Sequence, residues 1–137
     1  MSSSSPESAS AGLRGVVAGN SSISTVDGLA GKLIYRGYSI EDLAENASFE
    51  ETAFLLWHNR LPTRAELASL TTDLQSQAAL PGPVMDLLHL APRTAIPMDV
   101  LRTAVSALGW FDPDTGNNSA EANFRKAVRL TAQIPTL

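Results

Sequence analysis

Three helix starts, written one after another, constrain this chain more than any other feature. Ser39-x-x-Asp42, Ser48-x-x-Glu51 and Thr63-x-x-Glu66 each set a hydroxyl three residues ahead of an acid. In such a capping box the hydroxyl accepts from the N3 amide while the acid reaches back to the amide of the cap residue. A chain punctuated in this way is committed to helices from about residue 40 onward.

Apolar spacing extends those starts into elements. The first helix is short, about 39–45. The second, about 49–58, carries Phe49, Ala53, Leu56 and Trp57 on one stripe. The third, about 64–79, carries Leu67, Leu70, Leu74 and Ala78, and Pro81, Gly82 and Pro83 end it. A fourth, 82–91, presents Val84, Leu87, Leu88 and Ala91 and accepts Pro83 in its first turn. The fifth, 97–109, has apolar residues on more than one face, which predicts burial on two sides, inside the domain or against a partner. A polar loop, "WFDPDTGNNSAE", leads to a last helix near Ser119 with Phe124, Val128, Thr131 and Ile134 on a stripe. Ahead of the helices, the β-prone runs "SSISTV" and "KLIYR" flank the turn residues Asp27, Gly28 and Gly31, so residues 12–38 read as an arm with a small β-hairpin. Residues 1–11 are Ser-rich and read as a disordered tail. The expected fold class is therefore all-α with a small N-terminal β-hairpin arm, its helical part spanning 39–137.

At 137 residues this is one domain's length. Fourteen acids against ten bases leave a net charge of −4, and Lys32 and Lys126 are the only lysines, so no basic face is available for nucleic acid. Cysteine is absent, which removes disulfides, thiolate metal sites and a Cys nucleophile, and fits a reducing, cytoplasmic setting. No apolar run approaches the ~18 residues of a membrane span. The first residues lack the charged and apolar regions of a secretory signal. The C-terminal "QIPTL" leaves Ile134 and Leu137 beside Pro135 without a Gly cap or polar tail, and reads as truncated.

Candidates for chemistry are few. His58 and His89 lie far apart, in no metal-ligand spacing, and no metal or cofactor is expected. "DPDTGNNSAEAN" fails a calcium loop at its fifth, sixth and twelfth positions, held by Gly116, Asn117 and Asn123, and reads as a solvated loop. "GLAGKL" lacks the first Gly and the hydroxyl of a phosphate loop, with Val26 and Leu33 in those places. Neither histidine adjoins a nucleophile elbow. Both read as cations at helix C-termini, available to the last carbonyls. Arg36, Arg60 and Arg102 are of the type that binds carboxylates, and their spacing makes them surface or salt-bridge residues.

The string of motifs resembles the N-terminal part of citrate synthases. The segments that carry the likeness are "GLRGVVAG" (12–19), "GKLIYRGYSIEDLA" (31–44), "SFEETAFLLWHNRLPT" (48–63), "IPMDVLRTAVSALG" (96–109) and "AQIPTL" (132–137). Their order and spacing hold across 12–137. The resemblance implies an enzyme that condenses acetyl-CoA with oxaloacetate and water to citrate and CoA, using an Asp base, two His and several Arg without a metal. The family's Gly-x-Gly-His-type and His-x-x-x-Asn-type motifs are not found here. No catalytic, substrate-binding or metal residue is therefore carried onto this chain, and those residues are expected beyond position 137. Acetyl-CoA and oxaloacetate count as substrates rather than cofactors. The resemblance also implies a homodimer through the segments 82–91 and 97–109. "AGLRGVVAG" and "PMDVLRT" equally resemble 2-methylcitrate synthases, which use propionyl-CoA. The alternative from another class is a non-catalytic helical assembly module of the same fold.

Overall fold

The capping signals place the helices where the sequence puts them. A computed structural model describes residues 21–137; the expected tail at 1–11 and "GLRGVVAG" at 12–19 lie outside the described residues. Strands β1 (Ser24–Asp27), β2 (Lys32–Tyr35) and β3 (Tyr38–Ser39) precede helices α1 (Ile40–Asn46), α2 (Phe49–His58), α3 (Arg64–Gln77), α4 (Gly82–Leu90), α5 (Pro97–Leu108) and α6 (Ala120–Gln133), with a 3₁₀ turn over Ile134–Thr136.

Two of the three capping boxes form completely. At α2, the Ser48 hydroxyl accepts from the Glu51 amide while Glu51 accepts from the Ser48 amide at 2.7 Å. At α3, Thr63 and Glu66 make the same exchange. At α1 only half the box is made: Ser39 accepts from the Asp42 amide, with no return bond. Asp is one methylene shorter than Glu, and its carboxylate does not reach back to the cap.

The expected two-stranded hairpin is a three-stranded antiparallel meander in the order β1-β2-β3. Asp27 pairs with Lys32 across the first turn, where the Asp27 carboxylate accepts from the Leu29 and Ala30 amides and Gly31 takes φ 65°. The second turn, Arg36-Gly37, has positive φ at both residues, 48° and 91°, and brings Tyr38 back against Tyr35. Residue 39 thus ends a strand as well as capping a helix, which corrects the reading that everything from Ser39 on is helical. β2 and β3 pack on α1.

The helices enclose two apolar clusters. Phe54 of α2, Leu70 of α3 and Val128 of α6 form one, flanked by Trp57 and Leu74. Val84 of α4 with Ala104, Ala107 and Leu108 of α5 form the other, flanked by Leu80, Leu87, Leu88 and Leu137. Small side chains at 104 and 107 let α4 and α5 approach closely around Val84, which is fully buried. The stripe expected on α3 is the one it buries, led by Leu70. On α2 the expected stripe is met in part: Ala53 is buried and Leu56 and Trp57 are half-buried, whereas Phe49 is 63% exposed and Phe54 and Leu55, off that stripe, are buried more deeply. Phe54 faces α3 and α6 while the α2 carbonyl at Leu56 meets the sheet, so α2 is covered from two directions and no single stripe describes it. On α6 Val128 is buried as expected, whereas Phe124 stays partly exposed and Ile134 falls in the 3₁₀ turn.

Candidate functional site: an apolar helix face and a paired charge cluster

The residues singled out for chemistry are dispersed. His58 ends α2, exposed, its ring 4.2 Å from that of Phe54 and 5.3 Å from that of Phe124. The carbonyl bonding expected of a C-terminal cation comes from elsewhere. Asn59, in a left-handed conformation, donates its amide to the Leu55 carbonyl, and the Arg36 guanidinium donates to the Leu56 carbonyl at 3.0 Å. His89 lies exposed in the last turn of α4. Arg102 pairs with Asp99 one turn away on α5, both exposed. Arg60 lies over the Phe54 ring at 5.2 Å and donates to the Glu66 carboxylate at 2.9 Å. That guanidinium, with the Thr63 amide and hydroxyl, holds the Glu66 carboxyl well below the usual carboxylate range. Among the described residues no three His, Asp or Glu side chains gather to hold a metal ion.

One polar cluster escaped the sequence reading. The loop between α5 and α6 is not simply solvated: Asp112 and Asp114 face Arg125 and Arg129 on α6. Arg129 donates to both acids at 2.6 Å, and Arg125 donates its Nε to Asp114 at 3.0 Å. Asp112 also accepts from the Asp114 amide at 2.7 Å, and the Thr115 hydroxyl donates to the Gly109 carbonyl. Hydrogen bonds from Arg125 and then Arg129 hold the Asp114 carboxyl far below its ordinary value, against the opposing effect of burial. Two arginines four apart on one helix face, preceded by Asp-x-Asp, were the available signal. Every member is paired within the cluster. It is a lock on the loop rather than an open binding site.

The open feature is apolar. α4 and α5 pack against each other by one face and leave the other uncovered. Leu90 is 79% exposed and Trp110 81%, with Met98, Ile96 and Phe111 also open. Between the helices runs a groove of about 270 Å³ lined by Leu87, Leu88, Leu90, Val100 and Ala104. A second hollow beside it is floored by Val84, Leu87 and Ala107 and rimmed by Trp110 and Phe111. Contiguous exposed apolar surface of this kind calls for cover by a partner, a ligand or further chain. Of the two-sided burial expected of the fifth helix, inside the domain or against a partner, the α4 side is covered within this chain.

Comparison with known proteins agrees with the family likeness. A family model described as citrate synthase, C-terminal domain, matches residues 12–137. Citrate synthase 2 of Bacillus subtilis is 45% identical over 130 residues, covering 94% of this chain and 34% of its own length. The 2-methylcitrate synthase 1 of Corynebacterium glutamicum is also 45% identical, over 124 residues, covering 90% of this chain and 32% of its own length. Among solved structures, citrate synthase from Pyrobaculum aerophilum superposes with a TM-score of 0.81 at 36% identity, over 91% of this chain and 33% of that one. The chain spans about one third of the length of the curated relatives it matches.

Proposed function

The chain belongs to the citrate synthase family, and from that premise we propose that it is the N-terminal part of an enzyme joining acetyl-CoA to oxaloacetate to give citrate and CoA. The observation that carries the reading is the run of "YRGYSI" and "LLWHNRLPT" at family spacing inside a 12–137 match. N-terminal placement follows the motif order, although the matching family model is described as a C-terminal domain. The acid–base set of such a condensation is an Asp that takes the methyl proton and histidines that polarise the enol and carbonyl oxygens. In this reading those groups lie outside residues 1–137, and the segment supplies scaffold and association surface. The scattered placement of His58, His89, Arg36, Arg60 and Arg102 supports that division of labour.

The uncovered α4–α5 face is assigned to a second copy of the chain, helix pair against helix pair. A homodimer of this form is isologous, so each groove receives the partner's equivalent apolar ridge. A cytoplasmic setting, without nucleic-acid partner or resident cofactor, belongs to the same reading. It is supported by the absence of cysteine and by the lack, among the described residues, of a helix long and apolar enough to cross a membrane.

Propionyl-CoA is the second acyl donor to consider, because the Corynebacterium 2-methylcitrate synthase is as similar as the Bacillus citrate synthase. Release of free thiol from acetyl-CoA or propionyl-CoA with oxaloacetate tests both. The 137-residue chain alone is expected to release none, and the protein expressed from the reading frame extended on both sides is expected to turn over one donor. Turnover by the chain alone within a thousandfold of the extended protein overturns the division of labour. An extended protein that uses neither donor favours the non-catalytic assembly module.

A further inference from the structure

The joint between the sheet and the helices runs through one side chain. Arg36 occupies the first position of a two-residue hairpin turn, where φ must be positive and Asn, Asp or Gly is the usual residue. An arginine there is conformationally costly, so something must hold it. Its amide donates to the Ile23 carbonyl at 2.9 Å. Its guanidinium then reaches in two directions: Nη1 donates to the Ser22 hydroxyl at 2.9 Å and carbonyl at 3.2 Å, and Nη2 donates to the Leu56 carbonyl at 3.0 Å. The Leu56 carbonyl is one of the last four of α2, which have no partner inside the helix. The guanidinium therefore caps that helix from another element, with its positive charge at the negative end of the dipole. Apart from this bond the sheet rests chiefly on α1, and three of the four residues of β1 are exposed.

We infer that Arg36 is a clasp that seats the β arm, residues 22–39, on the end of α2, and that the arm is a unit able to open separately from the helices once the clasp is lost. The planar fork matters. A lysine ammonium is a single point and does not reach Ser22 and Leu56 with the same geometry. A residue kept only for the turn would be better as asparagine, since Asn-Gly is the favoured pair for this turn type.

That difference gives opposite signs in one experiment. Native-state hydrogen exchange is measured by segment on the wild-type chain, Arg36→Asn and Arg36→Lys. As a clasp, Arg36→Asn speeds exchange across 22–39 by about tenfold while α3 and α6 keep their wild-type rates. Arg36→Lys moves the same segment in the same direction by less. If Arg36 is only a turn residue, Arg36→Asn leaves exchange in 22–39 unchanged or slower, and the inference is overturned. It is equally overturned if exchange rises alike in 22–39, α3 and α6, because the arm then opens only with the whole molecule. Should Arg36→Asn fail to fold, Arg36→Lys alone decides by the same segment comparison.

Discussion

At the scale of single residues, paired charges position the loop between α5 and α6. Asp114 sits with its carboxylate nearly covered, its side chain 12% exposed, between two guanidiniums. Because its folded-state pKa lies below the unfolded value of about 3.9, the ion pair's contribution is fully present above about pH 4. It is lost as pH falls below about 4, through the depressed folded-state pKa. Asp114→Asn is accordingly expected to lower stability at pH 7 and to flatten its decline in acid. Urea midpoints at pH 7, 5 and 3 check this: the gap between wild type and variant should be the same at the first two and narrow at the third. A gap that stays constant down to pH 3 would remove Asp114 from the acid sensitivity. His58 carries the residue-scale correction. Its position at a helix end was legible, yet the capping is done by Asn59 and by Arg36, twenty positions before the Leu56 carbonyl it reaches, and the imidazole lies tilted against Phe54 and edge-on to Phe124 instead.

At the scale of elements, helix starts were the most legible part of the chain because capping is local. The acceptor hydroxyl and the amide it serves are three residues apart, so the short sequence contains the whole interaction. Ser48→Ala and Thr63→Ala are each expected to cost about 1 kcal/mol in urea unfolding. Ser39→Ala removes the same hydroxyl acceptor and should cost about as much, while the returning acid is tested by Glu51→Ala, which deletes the bond to the Ser48 backbone amide and keeps the hydroxyl. An unchanged urea midpoint in Glu51→Ala would mean that the returning acid adds nothing. Buried faces were less legible. The periodicity of α3 points correctly to Leu70, because α3 is covered mainly on one side. The same reasoning caught Ala53 on α2 but missed Phe54 and Leu55, because the Phe54 side chain is drawn in by α3 and α6, which no spacing within α2 reports. The third strand was missed for a related reason: two residues, Tyr38 and Ser39, are too few to show alternation, and their pairing depends on the left-handed turn before them.

At the scale of the whole molecule, what remains unexplained by internal packing is the open face of α4 and α5. Leu90 and Trp110 are exposed beside Ile96, Met98 and Phe111, and apolar surface gathered in one place, unlike a lone exposed leucine, is the kind that a partner covers. Wild-type protein is therefore expected to sediment as a dimer, and Leu90→Glu as a species near 14.5 kDa with an unchanged unfolding midpoint measured at low concentration. The carboxylate would be solvated in the single chain but stranded in an apolar interface. A wild-type chain that sediments at the monomer mass at high concentration would overturn the dimer, and a Leu90→Glu variant that still dimerises would place the interface elsewhere.

The sequence by itself determined the helix starts, the turn at Asp27 to Lys32, the mainly helical class and the family, because each rests on spacings of a few residues or on motifs in order. The tertiary structure alone decided which faces are buried, that Asp112 and Asp114 are answered by Arg125 and Arg129, and that Arg36 reaches the end of α2. Those outcomes depend on where distant segments arrive in space, and a guanidinium's partners are chosen by the carboxylates and carbonyls that packing brings within 3 Å or so, not by its neighbours along the chain.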